Sequence, residues 1–181
     1  LREEEAFISA LQDPNQREKA FRELMSTYKE RLYWHIRKMV LSHDDTDDVL
    51  QNTFVKIFRS IDKFKGDSKL FSWMYRIATN EAITFLNKKA KMHQVDLNDL
   101  QYKMAENLEA DVYFDGDEAQ LLLQKAVATL PQKQQLVFNM KYFDEMKYTD
   151  IAEVLDTTVG ALKSSYHHAV KKVERYLKKT D

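Results

Sequence analysis

Between Tyr148 and Leu177 the sequence YTDIAEVLDTTVGALKSSYHHAVKKVERYL repeats its apolar residues every three or four positions. That spacing constrains the fold more than any other feature of the chain. Ile151, Ala152 and Leu155 make one edge of a short helix, for which Thr149 or Asp150 can supply the N-terminal cap. Asp156 stands where the chain must turn, and Asp tolerates a left-handed backbone better than most residues. Thr157 or Thr158 then caps a longer helix whose apolar side is Val159, Leu162, Tyr166, Ala169 and Val173. Its opposite side carries Lys163, Ser164, His167, His168, Lys171 and Arg175. A helix-turn-helix with a basic, polar outer face suits the major groove of DNA. Two packed helices with a solvated charged face would show the same pattern.

The same helical spacing recurs upstream. Phe7, Ile8 and Leu11 mark a short helix over residues 1–12, broken by Pro14 and Asn15. A long helix from about Gln16 to Leu41 carries Phe21, Leu24, Tyr28, Leu32, Ile36 and Met39, and a turn is expected over Ser42 to Thr46. The next helix opens near Asp45 to Asp48, where carboxylates suit the helix dipole. Val49, Leu50, Phe54, Ile57, Phe58 and Ile61 are its expected buried stripe, leaving Asp48, Gln51, Asn52, Val55 and Lys56 for solvent or a partner. DKFKGDSK, residues 62–69, is a polar loop bent at Gly66. A helix from about Phe71 to Lys89 follows. Phe71, Met74, Ala78, Ala82 and Phe85 are inward, and Ser72, Arg76, Thr79, Asn80 and Asn87 form a polar stripe. Helices over Ala119 to Thr129 and from Pro131 to about Tyr142 complete the pattern.

Only 3 Gly and 2 Pro among 181 residues agree with an all-α chain, and the absence of Cys excludes a disulfide framework and a Cys-based zinc site. With no signal sequence and no apolar run of membrane-spanning length, the expected compartment is the cytoplasm. The net charge of −1 conceals three blocks. Residues 1–93 hold 17 basic and 14 acidic side chains, residues 94–118 hold 1 and 8, and residues 119–181 hold 10 and 7. The architecture expected is two small helical domains, 1–93 and 119–181, joined by an acidic linker at 94–118. Leu97, Leu100, Met104 and Leu108 in that linker are spaced for a short helix. The relative placement of the two domains is expected to be variable or set by a small interface. Enzyme chemistry is disfavoured, since the histidines at 35, 43, 93, 167 and 168 form no metal-binding spacing and no Gly-rich phosphate loop occurs.

Two blocks, in order, resemble bacterial RNA polymerase sigma factors of the extracytoplasmic-function group. DDVLQNTFVKIFRSIDKFKGDSKLFSWMYRIATNEAITFL, residues 47–86, is similar to the family's second region, with acid-x-x-Gln-x-x-Phe ahead of Ser-Trp-x-Tyr-Arg-Ile-Ala-x-Asn. LPQKQQLVFNMKYFDEMKYTDIAEVLDTTVGALKSSYHHAVKKV, residues 130–173, is similar to the fourth region. The resemblance implies a non-catalytic protein, without cofactor, metal or small-molecule substrate and monomeric when free. Its implied role is to join core RNA polymerase, direct it to promoter DNA and be held by an anti-sigma factor. Asp48, Gln51 and Phe54 match the motif that grips a coiled coil of the largest polymerase subunit; Asn52, where an acid is usual, and Val55 share that face. Minus-ten contacts are implied for Lys63, Phe64, Lys65, Ser68, Lys69, Ser72, Trp73, Arg76, Asn80 and Lys88. Aromatics there would stack on unpaired bases, and cations would hold phosphates. Minus-thirty-five contacts are implied for Thr158, Lys163, Ser164, His167, His168, Lys171, Lys172 and Arg175. Ser165, His168 and Val170 stand where many members carry Arg, so readout is expected to lean on Lys, phosphates and DNA shape. In similar proteins the connector threads through polymerase, and a net −7 segment can mimic nucleic acid against a basic channel. A sigma-mimicking interaction module and an ordinary helix-turn-helix regulator remain as alternatives.

Overall fold

The computed structural model describes residues 2–110 and 116–180. Among them no strand occurs, and the α-helices follow in order: α1 (Arg2–Gln12), α2 (Arg17–Val40), α3 (His43–Ser60), α4 (Leu70–Met92), α5 (Leu97–Glu106), α6 (Glu118–Ala128), α7 (Gln132–Phe138), α8 (Tyr148–Leu155) and α9 (Val159–Thr180). α2, α3 and α4 pack on one another with α1 against α2, while α6, α7 and α8 pack around α9.

Several ends follow from local chemistry. α2 stops at Leu41, which turns left-handed (φ 59°) and returns its N–H to Arg37 O. The turn expected over Ser42 to Thr46 is instead the start of α3, because Ser42 Oγ accepts from Asp45 N and Thr46 Oγ1 donates to Ser42 O. α4 has no cap of its own at Lys69; Glu4 of α1 reaches across and accepts from Leu70 N at 2.8 Å. α7 continues into one π-helical turn, Asn139–Phe143. α8 starts after Lys147, without a side-chain cap from Thr149 or Asp150. Asp156 is left-handed (φ 51°), and Thr158 Oγ1 accepts from Ala161 N, capping α9.

The buried stripes match the helical spacing with instructive exceptions. Val49, Leu50, Phe54, Ile57 and Ile61 are buried, but Phe58 is 41% exposed, lying edge-on to Phe21 at the rim. Ser72 and Thr79, expected on a polar outer stripe of α4, are 1% exposed. Thr79 meets its hydrogen-bonding need internally by donating to Tyr75 O at 2.7 Å, so its methyl group and Cα can face the core.

The acidic segment is more ordered than a connector requires. α5 begins at Asp96, whose carboxylate accepts from Asp99 N, and it buries Leu100, Gln101 and Ala105; Leu108 is also buried. α5 packs on α6 and α4. Residues 111–115 of that segment lie outside the described residues.

The two bundles share one apolar core. Met39, Met74, Ala78 and Ala82 of the first belong to the same buried cluster as Leu136, Val137, Met140, Ile151, Val154 and Leu162 of the second. The extensive α4–α8 contact closes the molecule. The sequence leads to the expectation of a placement that is variable or set by a small interface. Burying a Val or Ile side chain is worth about 1.5–3 kcal/mol, and Ile151 and Val154 sit at 0% and 3% exposure in the closed arrangement. A second, smaller cluster of Ala126, Val127, Leu130, Phe138, Ala169 and Val173 is internal to the C-terminal bundle.

Candidate nucleic-acid interface

On α3, Asp48, Gln51, Asn52 and Val55 are exposed along one side, and Val55 is 43% accessible. Phe54 is buried beneath them, edge-on to Phe21 of α2. It holds the helix in place and presents nothing outward.

The loop after α3 is pinned from the end of α1 and the start of α2. Gln12 Nε2 donates to Ile61 O and Phe64 O, both at 2.9 Å, and Arg17 pairs with Asp62. Gly66 makes the bend at φ 76°. This fixed loop exposes Lys63, Lys65 and Lys69. Phe64 departs from its expected role: its ring is 7% exposed and turned inward against Trp73, centroids 5.0 Å apart. Trp73 itself is half-buried, and Arg76, Asn80 and Lys88 are exposed further along α4. Ser68 is half-buried, and the buried Ser72 hydroxyl has no hydrogen-bond partner.

On α9, Lys163, Ser164, His167, His168, Lys171, Lys172 and Arg175 are all exposed, with Thr158 exposed at the helix start. Leu162, Ala169 and Val173 fix the opposite side in the bundle, and Tyr166 packs near Phe138 and Tyr148. Lys163 Nζ lies 5.9 Å from the Tyr148 ring centre. One helix thus carries a continuous cationic and imidazole-bearing face, suited to a groove.

Two family models match the chain, both in the expected order. The Sigma-70 region 2 model matches residues 24–92 and the Sigma-70 region 4 model matches residues 120–173. The chain belongs to the extracytoplasmic-function group of RNA polymerase sigma factors. It is 29% identical over 166 residues to the ECF RNA polymerase sigma-E factor of Haemophilus influenzae, covering 86% of each chain. It is 28% identical over 167 residues to the sigma factor SigW of Bacillus subtilis, covering 88% of this chain and 89% of that one. Its fold is similar to that of CnrH in complex with the cytosolic domain of CnrY, with a TM-score of 0.72 and 21% identity over 98% of this chain and 99% of that one. A second similar fold is the sigma factor RpoE of Bartonella quintana in complex with the anti-sigma factor NepR, with a TM-score of 0.67 and 20% identity over 88% of this chain and 98% of that one. A sigma factor is not an enzyme; it directs transcription initiation through regions 2 and 4.

In this sigma factor the two regions meet through charged groups whose pairing the sequence did not show. Asp144, just after the π-helical turn of region 4, pairs with Lys38 of α2, and its second oxygen lies 3.6 Å from His35 Nδ1. His35 Nε2 donates to Thr79 Oγ1 at 2.7 Å, since the Thr79 hydroxyl proton is already directed at Tyr75 O. The imidazole also stacks on Tyr75, centroids 4.2 Å apart. Burial holds the His35 pKa below its ordinary value, outweighing the opposite pull of the Asp144 carboxylate. Burial pushes Asp144 up, but His35 and Lys38 outweigh it and hold that carboxyl below the usual range. Burial drives the Tyr75 phenol strongly upward. Nearer the loop, Lys69 Nζ donates to Asp150 at 2.7 Å, which holds its ammonium above the ordinary value. Arg76 donates Nε and Nη2 to the Glu153 carbonyl, the Nε contact at 3.1 Å.

Proposed function

We propose that the three exposed polar surfaces divide the labour of initiation. Asp48, Gln51, Asn52 and Val55 on α3 dock on the coiled coil of the largest polymerase subunit, with Phe54 holding that helix against α2. The loop and α4 take the minus-ten element as an opened strand. Lys63, Lys65, Lys69, Arg76 and Lys88 hold its phosphates, and Trp73 and Asn80 meet bases. Phe64, Ser68 and Ser72 act from beneath, fixing Trp73 and the start of α4. Unpairing costs a few kcal/mol per flipped base, and stacking at about 1–3 kcal/mol per base offsets it. Thr158, Lys163, Ser164, His167, His168, Lys171, Lys172 and Arg175 at the start and along the outer face of α9 take the minus-thirty-five element as duplex.

The observation that supports this division most strongly is the segregation of these groups. The first set lies on α3, the second on the loop after it and on α4, and the third on α9, and each of these helices is fixed by a buried side of its own. The acidic linker, 94–118, reads as the element that spans polymerase between the two promoter contacts. The complex of RpoE with NepR supports an anti-sigma partner for this chain too. Among the described residues no helix is long and apolar enough to cross a membrane, and a cytoplasmic site of action goes with the polymerase it serves. Selection of promoters from a random DNA library by core polymerase loaded with this protein tests the reading. A two-part motif is expected, its upstream part lost in Lys163→Ala and its downstream part in Asn80→Ala. A motif unchanged by both substitutions contradicts it.

A further inference from the structure

The outer face of α9 carries two histidines side by side and only one arginine, Arg175. His167 and His168 are both exposed, with ring centres 6.0 Å apart and planes at 61°. Lys163 and Lys171 lie one turn to either side of His167, and Lys172 lies one turn beyond His168. The ion-paired histidines of the chain are His35 and His43; among the described residues neither ring on α9 has an ion-pair or hydrogen-bond partner. Glu174, the one carboxylate of α9, pairs with neither ring. The helices packed against α9 are α6, α7 and α8. Their titratable groups are Glu118 and Lys125, then Lys133, then Tyr148, Asp150 and Glu153. None of them is bonded to either imidazole; Asp150 is held by Lys69, and Tyr148 lies beside Lys163.

A neutral imidazole offers a single N–H donor and no charge, whereas an imidazolium offers two donors and a full charge. Imidazole is the side chain whose charge ordinarily changes between pH 5 and 8, and a neighbouring anion favours its charged form. No protein carboxylate supplies that anion to His167 or His168, so DNA phosphate must. We infer that this pair makes duplex binding by α9 proton-linked: each ring takes up a proton as a phosphate comes against it. The face thereby gains on DNA cations that it lacks in the free chain, and mild acidity strengthens the upstream promoter contact. This inference rests on the reading of α9 as the duplex surface.

The test uses the full chain and anisotropy on a labelled random-sequence duplex pool, from pH 8 to pH 6 and at several salt concentrations. Circular dichroism at each pH keeps the comparison to folded protein. Uptake of one proton on binding tightens affinity by about tenfold per pH unit. Binding is therefore expected to be about tenfold or more tighter at pH 6 than at pH 8, with a salt slope steeper by about 1 to 2. His167→Gln with His168→Gln should hold affinity near the weak alkaline value at both ends of the range. His167→Arg with His168→Arg should hold it near the tight acidic value, and decides the question alone if the glutamine pair does not fold. His93→Gln, at an exposed histidine beyond α4, should keep the full pH dependence. Binding that is indifferent to pH overturns the inference, as does a pH dependence that survives in the glutamine or the arginine pair. If pH has no effect but Lys163→Ala weakens duplex binding, the reading of α9 stands and the proton linkage alone falls. If neither Lys163→Ala nor the glutamine pair weakens binding, α9 is not the duplex surface, and the inference falls with that reading.

Discussion

At the scale of single residues, polar side chains in this protein divide into those that face a partner and those that complete the core. Lys171 belongs to the first kind: it is exposed on α9. Lys171→Ala should weaken duplex binding evenly across sequences and lower the salt slope by about 1, as measured by titration at several salt concentrations. His35 belongs to the second kind. Its folded pKa lies below the ordinary 6.5, so the neutral imidazole is the form that the closed molecule prefers. Its contribution is therefore complete above pH 6.5 and is lost as pH falls from there toward the folded value. The depressed Asp144 works in the same direction at lower pH, its contribution being lost as pH drops below 3.8. The melting temperature should fall between about pH 7 and about pH 5, and His35→Gln, which keeps a donor for Thr79, should flatten that slope. A slope unchanged in His35→Gln would assign it to other groups.

At the scale of elements, the helix-turn-helix was the most legible part of the chain. Its helices are strongly two-sided and are joined by three residues, the first of which, Asp156, has a left-handed backbone. Asp156 at φ 51° tolerates that conformation, and Gly would adopt it freely. Asp156→Val should cost about 1–2 kcal/mol in chemical denaturation, and Asp156→Gly should not. Elsewhere hydrophobicity was a weaker guide. Phe58 fits the apolar stripe of α3 by spacing, yet the stripe is wider than the surface available, and it stays at the rim. Ser72 and Thr79 read as an outer stripe by polarity. In α4, however, a hydroxyl can be turned onto the preceding carbonyl, as Thr79 does, leaving a small side chain that packs like Ala. Phe64 was misread for the converse reason: a loop aromatic looks available until the pinning of that loop by Gln12 and Arg17 turns its ring inward.

At the scale of the whole molecule, what the sequence withheld was closure. The family motifs lie within single helices or neighbouring pairs, and local periodicity reports them. The contacts that bring region 4 onto region 2 join residues far apart in the chain, such as Lys38 with Asp144, 106 positions apart, and Arg76 with Glu153, 77 positions apart. None of these residues has a local pattern that names its partner. The shared core should make the chain unfold in a single transition by circular dichroism, with both regions losing structure together; two separated transitions would contradict a common core. The division of surfaces matters at the same scale, because a promoter is engaged at two places while the protein rides on polymerase. Reconstitution with purified core polymerase tests this most directly, combining run-off transcription with permanganate footprinting of the start site. Transcripts from defined starts are expected only when this protein is present, with reactive thymines over the minus-ten element that disappear in Lys69→Ala with Arg76→Ala. Failure of the protein to associate with core polymerase, or transcription that neither depends on it nor shows an opened minus-ten element, would contradict that division.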